Sequence, residues 1–197
     1  MTTLSWPDSV PCVVHSKFWI APDQFLAVGS AGGDVYAAPR NDGTKWRADL
    51  TITRHWGPAV APFDAFLVSL QSADVLVPDA RQVTRGSLAG SPAIVGGAAG
   101  GNQVTLSGFT PNAVNVLMAG DRIQTSVGRM HMVLADCTAS VDGVVVATVA
   151  PALRVNATVG TLVANGCTLL MRCLSGWGNP TTAPLVTTWN LSFVERF

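Results

Sequence analysis

Apolar and polar residues alternate between Trp46 and Ile52, where Trp46, Ala48, Leu50 and Ile52 stand against Arg47, Asp49 and Thr51. A period of two predicts a strand with one buried face. The run from Cys12 to Ile20, CVVHSKFWI, reads the same way. Between the two lie Gly29, Gly32, Gly33 and the turn-rich stretch Pro39 to Gly43, with room for a short strand near Val35 and Tyr36. The first 55 residues are therefore expected to form a small antiparallel sheet. The period then changes once: Phe63, Phe66, Leu67 and Leu70 fall at i, i+3, i+4 and i+7, preceded by Pro58 and Pro62 and uninterrupted by glycine. That spacing predicts one amphipathic helix over about 59–72, whose apolar stripe is expected to cap the sheet.

A strand over Val75 to Val77 comes next, and then a stretch from Gly86 to Gly120 with no charged residue. Its segment SLAGSPAIVGGAAGGNQ has the composition of a flexible loop or a glycine-bent strand. It lacks the Lys-Ser/Thr pair of a phosphate-binding loop and the G-x-G-x-x-G of a dinucleotide fold. Short strands then recur at Val104 to Leu106, Arg122 to Thr125, Arg129 to Leu134, Cys137 to Ala139, Val144 to Val149, Thr168 to Cys173 and Trp189 to Val194. Hairpin turns are expected at Ser126-Val127-Gly128 and Val141-Asp142-Gly143-Val144. The pattern predicts a mainly β protein, an antiparallel β-sandwich or barrel-like core with one short α-helix. One domain over 1–197 accounts for it, and a subdivision into 1–80 (sheet plus helix) and 81–197 (sandwich or barrel) is compatible with the same elements.

Composition strengthens the β reading. Glu occurs once (Glu195) and Lys twice (Lys17, Lys45), beside 19 Gly and 12 Pro, so the usual material of exposed helices is missing. The 12 basic and 12 acidic residues cancel, which removes the electrostatic basis for binding nucleic acid non-specifically. The uncharged stretch fails as a spanning helix because Pro92, Pro111 and the cluster Gly97 to Gly101 interrupt it. Met1 to Val10 shows no basic and apolar leader pattern, so synthesis and residence in the cytoplasm are expected. Cys12, Cys137, Cys167 and Cys173 form no C-x-x-C pair and are expected to be reduced core residues.

Chemistry-bearing groupings are sparse. His15, His55 and His131 lack metal-ligand spacing. His131, Asp136 and Cys137 invite a base–orienter–nucleophile reading, but strand neighbours point to opposite faces, so a half-buried sheet histidine is the stronger expectation. Asp121, Asp136 and Asp142 are the aspartates that a carboxylate-pair hydrolase would use, yet each sits beside turn-like sequence where Asp bonds its own backbone. No catalytic, cofactor-binding or metal residue is assigned, no cofactor is implied, and the chain is not expected to be an enzyme. Residues 86 to 194 carry only seven charges: Asp121, Arg122, Arg129, Asp136, Asp142, Arg154 and Arg172. A surface that poor in charge favours association, and Trp6, Trp19, Trp46, Trp56, Trp177 and Trp189 are suited to anchoring contacts as well as to filling a core.

Several segments resemble, in order and spacing, a family of bacteriophage distal tail or minor tail proteins of long-tailed, siphovirus-like phages. They are Ala119-Gly120-Asp121-Arg122-Ile123-Gln124, then Arg129-Met130-His131-Met132-Val133-Leu134-Ala135-Asp136, then Asp142-Gly143 and Pro151-Ala152-Leu153-Arg154. The likeness extends to Thr84-Arg85-Gly86 with Gly90-Ser91-Pro92, to the helix, to Gly43-Thr44-Lys45-Trp46 and to Ser192-Phe193-Val194-Glu195-Arg196-Phe197. The resemblance implies a structural virion protein of the tail tip, a homo-oligomeric ring, commonly a hexamer. Such a ring joins the tail tube protein to the hub and tip proteins and lets DNA pass through its bore without specific nucleic-acid binding or a membrane span. Two other readings stay open: a small β-sandwich carbohydrate-binding module, with Trp56 or Trp177 stacking on sugar, and an Asp-pair hydrolase.

Overall fold

The structure is a computed structural model that describes residues 3–7, 13–21, 24–28, 35–39, 44–55, 61–79, 83–174, 181–183 and 186–196. Within them the elements run β1 (Thr3–Ser5), β2 (Val13–Ala21), β3 (Gln24–Val28), β4 (Val35–Pro39), β5 (Lys45–His55), α1 (Ala61–Ser69), β6 (Asp74–Pro78), β7 (Gly90–Gly96) and β8 (Gln103–Phe109). They continue through β9 (Arg122–Ser126), β10 (Arg129–Val133), β11 (Val145–Ala150), β12 (Gly160–Thr161), β13 (Thr168–Cys173), β14 (Thr181–Ala183) and β15 (Val186–Glu195). The protein is mainly β, as the alternation predicts.

The first sheet has the order β1-β6-β13-β15-β5-β2, with β14 added on β15. All its pairings are antiparallel except β1 with β6. β5 buries Trp46, Ala48, Leu50 and Ile52, and β15 buries Trp189, Leu191, Phe193 and Glu195 on the same face. The opposite face is polar and self-satisfied: the Ser192 hydroxyl donates to Asp49 at 2.7 Å and the Thr51 hydroxyl to Asn190 at 2.9 Å. The helix, which ends at Ser69 and not at residue 72 as expected, lays Phe63, Phe66 and Leu67 on this core. Phe63 meets Trp189 edge-on at 5.1 Å between ring centroids, and Trp6 meets Phe66 at 5.5 Å. Residues 59 and 60 lie outside the described set, and Leu70 closes the last turn through its N–H to the Phe66 carbonyl.

The second sheet has the order β12-β7-β8-β11-β10-β9. Segment 158–163 draws its two edges together. Gly160 and Thr161 pair with Ile94 and Ala93 of β7, while the Thr158 N–H donates to Thr125 and the Gln124 N–H to Val163 on the β9 side. The sheet thereby rolls into a barrel-like body, which hides the edges that would otherwise invite aggregation. Val104, Leu106, Ile123, Val133, Ala147, Val149 and Leu153 fill its interior.

Of the two readings of the glycine-rich stretch, the glycine-bent strand is the one found: β7 and β8 pair, and register breaks at Gly90/Ala93 and Ile94/Gly96 absorb the glycines. Three expectations are corrected. Cys137 to Ala139 is not a strand and makes only a single bridge, Leu117 to Cys137. The Asp142-Gly143 turn is real, with Gly143 at φ 69°, but β11 runs from it to pair with β8 and β10, and no hairpin forms about it. The first 55 residues are not a self-contained sheet. β3 and β4 pair with each other, while β2 and β5 join strands from the far end of the chain. A boundary at residue 80 therefore does not match the sheets, since the first is built from residues 3–78 and 168–195. Gly29, Gly32, Gly33 and residues 40–43 lie outside the described residues.

Candidate functional site: the joint between sheet and barrel

β10 serves both bodies. Met130 lies in the core of the first sheet, and Val133, three residues on and so on the opposite face of the strand, lies in the core of the barrel. The indole N–H of Trp46, fully buried, donates to the Met130 carbonyl at 2.8 Å. Around this contact the scarce charges gather. Arg122 on β9 forms a buried ion pair with Asp79, and its guanidinium lies 5.2 Å from the Trp46 ring centroid and 5.6 Å from that of Phe18. On the other side of Trp46, Glu195 accepts the Trp46 backbone N–H at 3.1 Å and faces Arg129 at 3.7 Å. Arg129 also donates to the Arg196 carbonyl at 2.8 Å, and Arg154 donates to the Thr44 carbonyl at 3.0 Å. Backbone contacts complete the joint: the Leu170 N–H donates to Gly128 at the tip of the β9–β10 hairpin, and the Thr168 N–H to the Gln124 side chain.

Burial sets the titration of two groups here. It lowers the His131 pKa from the ordinary 6.5, against the pull of the Pro151 carbonyl, which accepts the Nδ1 proton at 2.7 Å; Arg129 and Arg154 push the same way as burial. It raises the Glu195 pKa from 4.5, opposed by the Trp46 N–H and by Arg154, Arg129 and Lys45.

The groupings weighed from sequence do not converge. The Cys137 thiol donates to the Ala135 carbonyl, Asp136 accepts the Ala119 N–H at 2.8 Å, and His131 is committed to Pro151. Asp121 is buried and accepts three backbone N–H groups, from Arg85 and Gly86 at 2.9 Å and from Met118 at 2.8 Å, so it clamps the strand entry at 85–86 to the turn before β9. Asp142 is exposed on its turn. Trp46 and Trp189 are core residues and are not free to stack on a sugar, while Trp56, Trp177 and Cys12 lie outside the described residues. Among the described residues no group of three metal-ligating side chains occurs, and no helix is long and apolar enough to cross a membrane. Burial pushes the Cys167 thiol up to about 11 and raises that of Cys137. Both are expected to resist a thiol reagent at pH 8 in the folded protein and to react on addition of denaturant, and prompt native reactivity would contradict their burial.

Sequence reasoning missed the joint, because its members are scattered over 150 positions. The one available signal was the sole glutamate, Glu195, placed in phase with Trp189, Leu191 and Phe193 on the buried face of the last strand. Neither a scan against protein-family models nor a search of curated proteins returns a match to this chain.

Proposed function

We propose that this chain is a structural component of a bacteriophage tail tip, assembling into a ring between the tail tube and the tip proteins, with a bore that passes DNA. The observation that carries the reading is where the charges sit. Of the seven between residues 86 and 194, Arg122, Arg129 and Arg154 are turned into the joint, Arg172 is paired with Asp74, and Asp121 is buried, which leaves Asp136 and Asp142 exposed. The barrel wall is correspondingly uncharged: Val95, Leu134 and Val146 are each at least half exposed, and Val146 pairs across to Thr105. An apolar and uncharged wall of that kind favours burial against neighbours, and a ring of identical copies uses head-to-tail contacts that cover such surfaces.

Light scattering on size-exclusion fractions of the purified protein is expected to give a closed oligomer, with six copies as the count the resemblance implies. Electron cryo-microscopy of tails is expected to place density for this chain between tube and tip. A strict monomer, together with particles that lack the chain, would overturn the reading.

A further inference from the structure

We propose that the joint between the first sheet and the barrel is an acid-sensitive hinge, in which protonation of His131 loosens Arg129 and Arg154 from the sheet while the strands within each body stay paired. The geometry places His131 where a second charge has no outlet. Its ring is buried on β10, its Nδ1–H is spent on the Pro151 carbonyl, and the charged groups influencing it are Arg129 from its own strand and Arg154 from the segment after β11. These two arginines are also the ties to the first sheet, through the Arg196 carbonyl and Glu195 for Arg129 and the Thr44 carbonyl for Arg154. Positive charge on His131 therefore repels both ties at once. The carboxylate within this cluster is Glu195, which faces Arg129, Arg154 and Lys45, and burial there favours its protonated form.

The direction in pH follows from the two groups. Folded His131 holds its proton less readily than the unfolded chain, so its contribution is complete above 6.5 and is lost as pH falls through that value. Glu195 acts in the opposite sense, since the folded state takes up its proton more readily above 4.5 and is favoured by doing so. Charging the histidine therefore drives the loosening, Glu195 opposes it, and the apolar cores on either side are untouched.

Hydrogen exchange of the full chain at pH 7.5 and pH 5.5, corrected for intrinsic rates, tests the hinge. Protection at the joint amides of Thr168 and Leu170, which donate to Gln124 and Gly128, is expected to fall about tenfold in acid, while that of Val104 to Leu106 and Val145 to Val149 inside the barrel holds. His131→Gln, which keeps a donor for Pro151 but does not titrate, is expected to abolish the acid-induced loss and leave only the opposite contribution of Glu195, so that joint protection in acid equals or exceeds that at pH 7.5. The same loss in His131→Gln, or an equal loss throughout barrel and sheet in the unaltered protein, would overturn the proposal. The second outcome decides the matter even if the variant does not fold.

Discussion

Replacing Trp46 by Ala is expected to destabilise the protein by about 4 kcal/mol, the range of a large aromatic removed from a packed core. The side chain is fully buried, and three separate contacts depend on it: the apolar core of the first sheet, the indole N–H to Met130, and the face over which the Arg122 guanidinium lies. Removing the ring also leaves the Arg122–Asp79 pair beside a void, and a buried charge pair is tolerated only while its surroundings hold it in register. Trp46→Phe separates these effects. It keeps most of the apolar area and a ring for Arg122 but strands the Met130 carbonyl, so a smaller loss of about 1–2 kcal/mol is expected. Urea unfolding monitored by circular dichroism measures both, and a Trp46→Ala variant as stable as the original would show that sheet and barrel do not depend on this contact.

Asp121→Ala is expected to cost about 3 kcal/mol or more, because the Arg85, Gly86 and Met118 N–H groups lose their acceptor in a partly buried loop, at about 1–3 kcal/mol for each stranded donor. Local geometry prevents a simple rescue. A Cβ on Gly86 would stand 2.4 Å from the Val116 carbonyl oxygen, so the 85–86 segment already lies as close to the 116–118 backbone as glycine permits. Asp121→Asn keeps one acceptor oxygen and is expected to lose about half as much. The same urea titrations serve here, with equal losses for Ala and Asn as the result that would refute the clamp. Asp121 and Gly86 belong to two of the short segments on which the family resemblance rests, and their juxtaposition supplies a stability reason for both motifs that calls for no chemistry at Asp121.

How much of this was legible beforehand depended on the range of the interaction. Trp46 to Ile52 and Trp189 to Glu195 announced their buried faces because a strand half sunk in a core must alternate, whatever lies across from it. Phe63, Phe66 and Leu67 announced a helix for the matching reason at a period of 3.6. Residues 86–120 left loop and bent strand undecided because glycine content speaks for conformational freedom and says nothing about whether a neighbouring strand, here β8 or segment 158–163, uses that freedom for bulges and close approach. Asp121 bonds its own turn as expected, but also a segment 35 residues away, and Asp136 bonds not its own turn but the Ala119 N–H.

Local period and composition are enough to give most of the strands, the helix, the sides of those strands that face a core, and the scarcity of charge. Which strands are neighbours, with β13 beside β6 and β15 beside β5, and where the few charges go are properties of the folded chain alone. Sheet pairing is settled by contacts between residues more than a hundred positions apart, and a charge takes its meaning from what surrounds it. Seven charges over residues 86–194 imply, from sequence, a surface suited to association. Placed in the fold, three of them hold a barrel to a sheet, and Asp136 and Asp142 are left exposed.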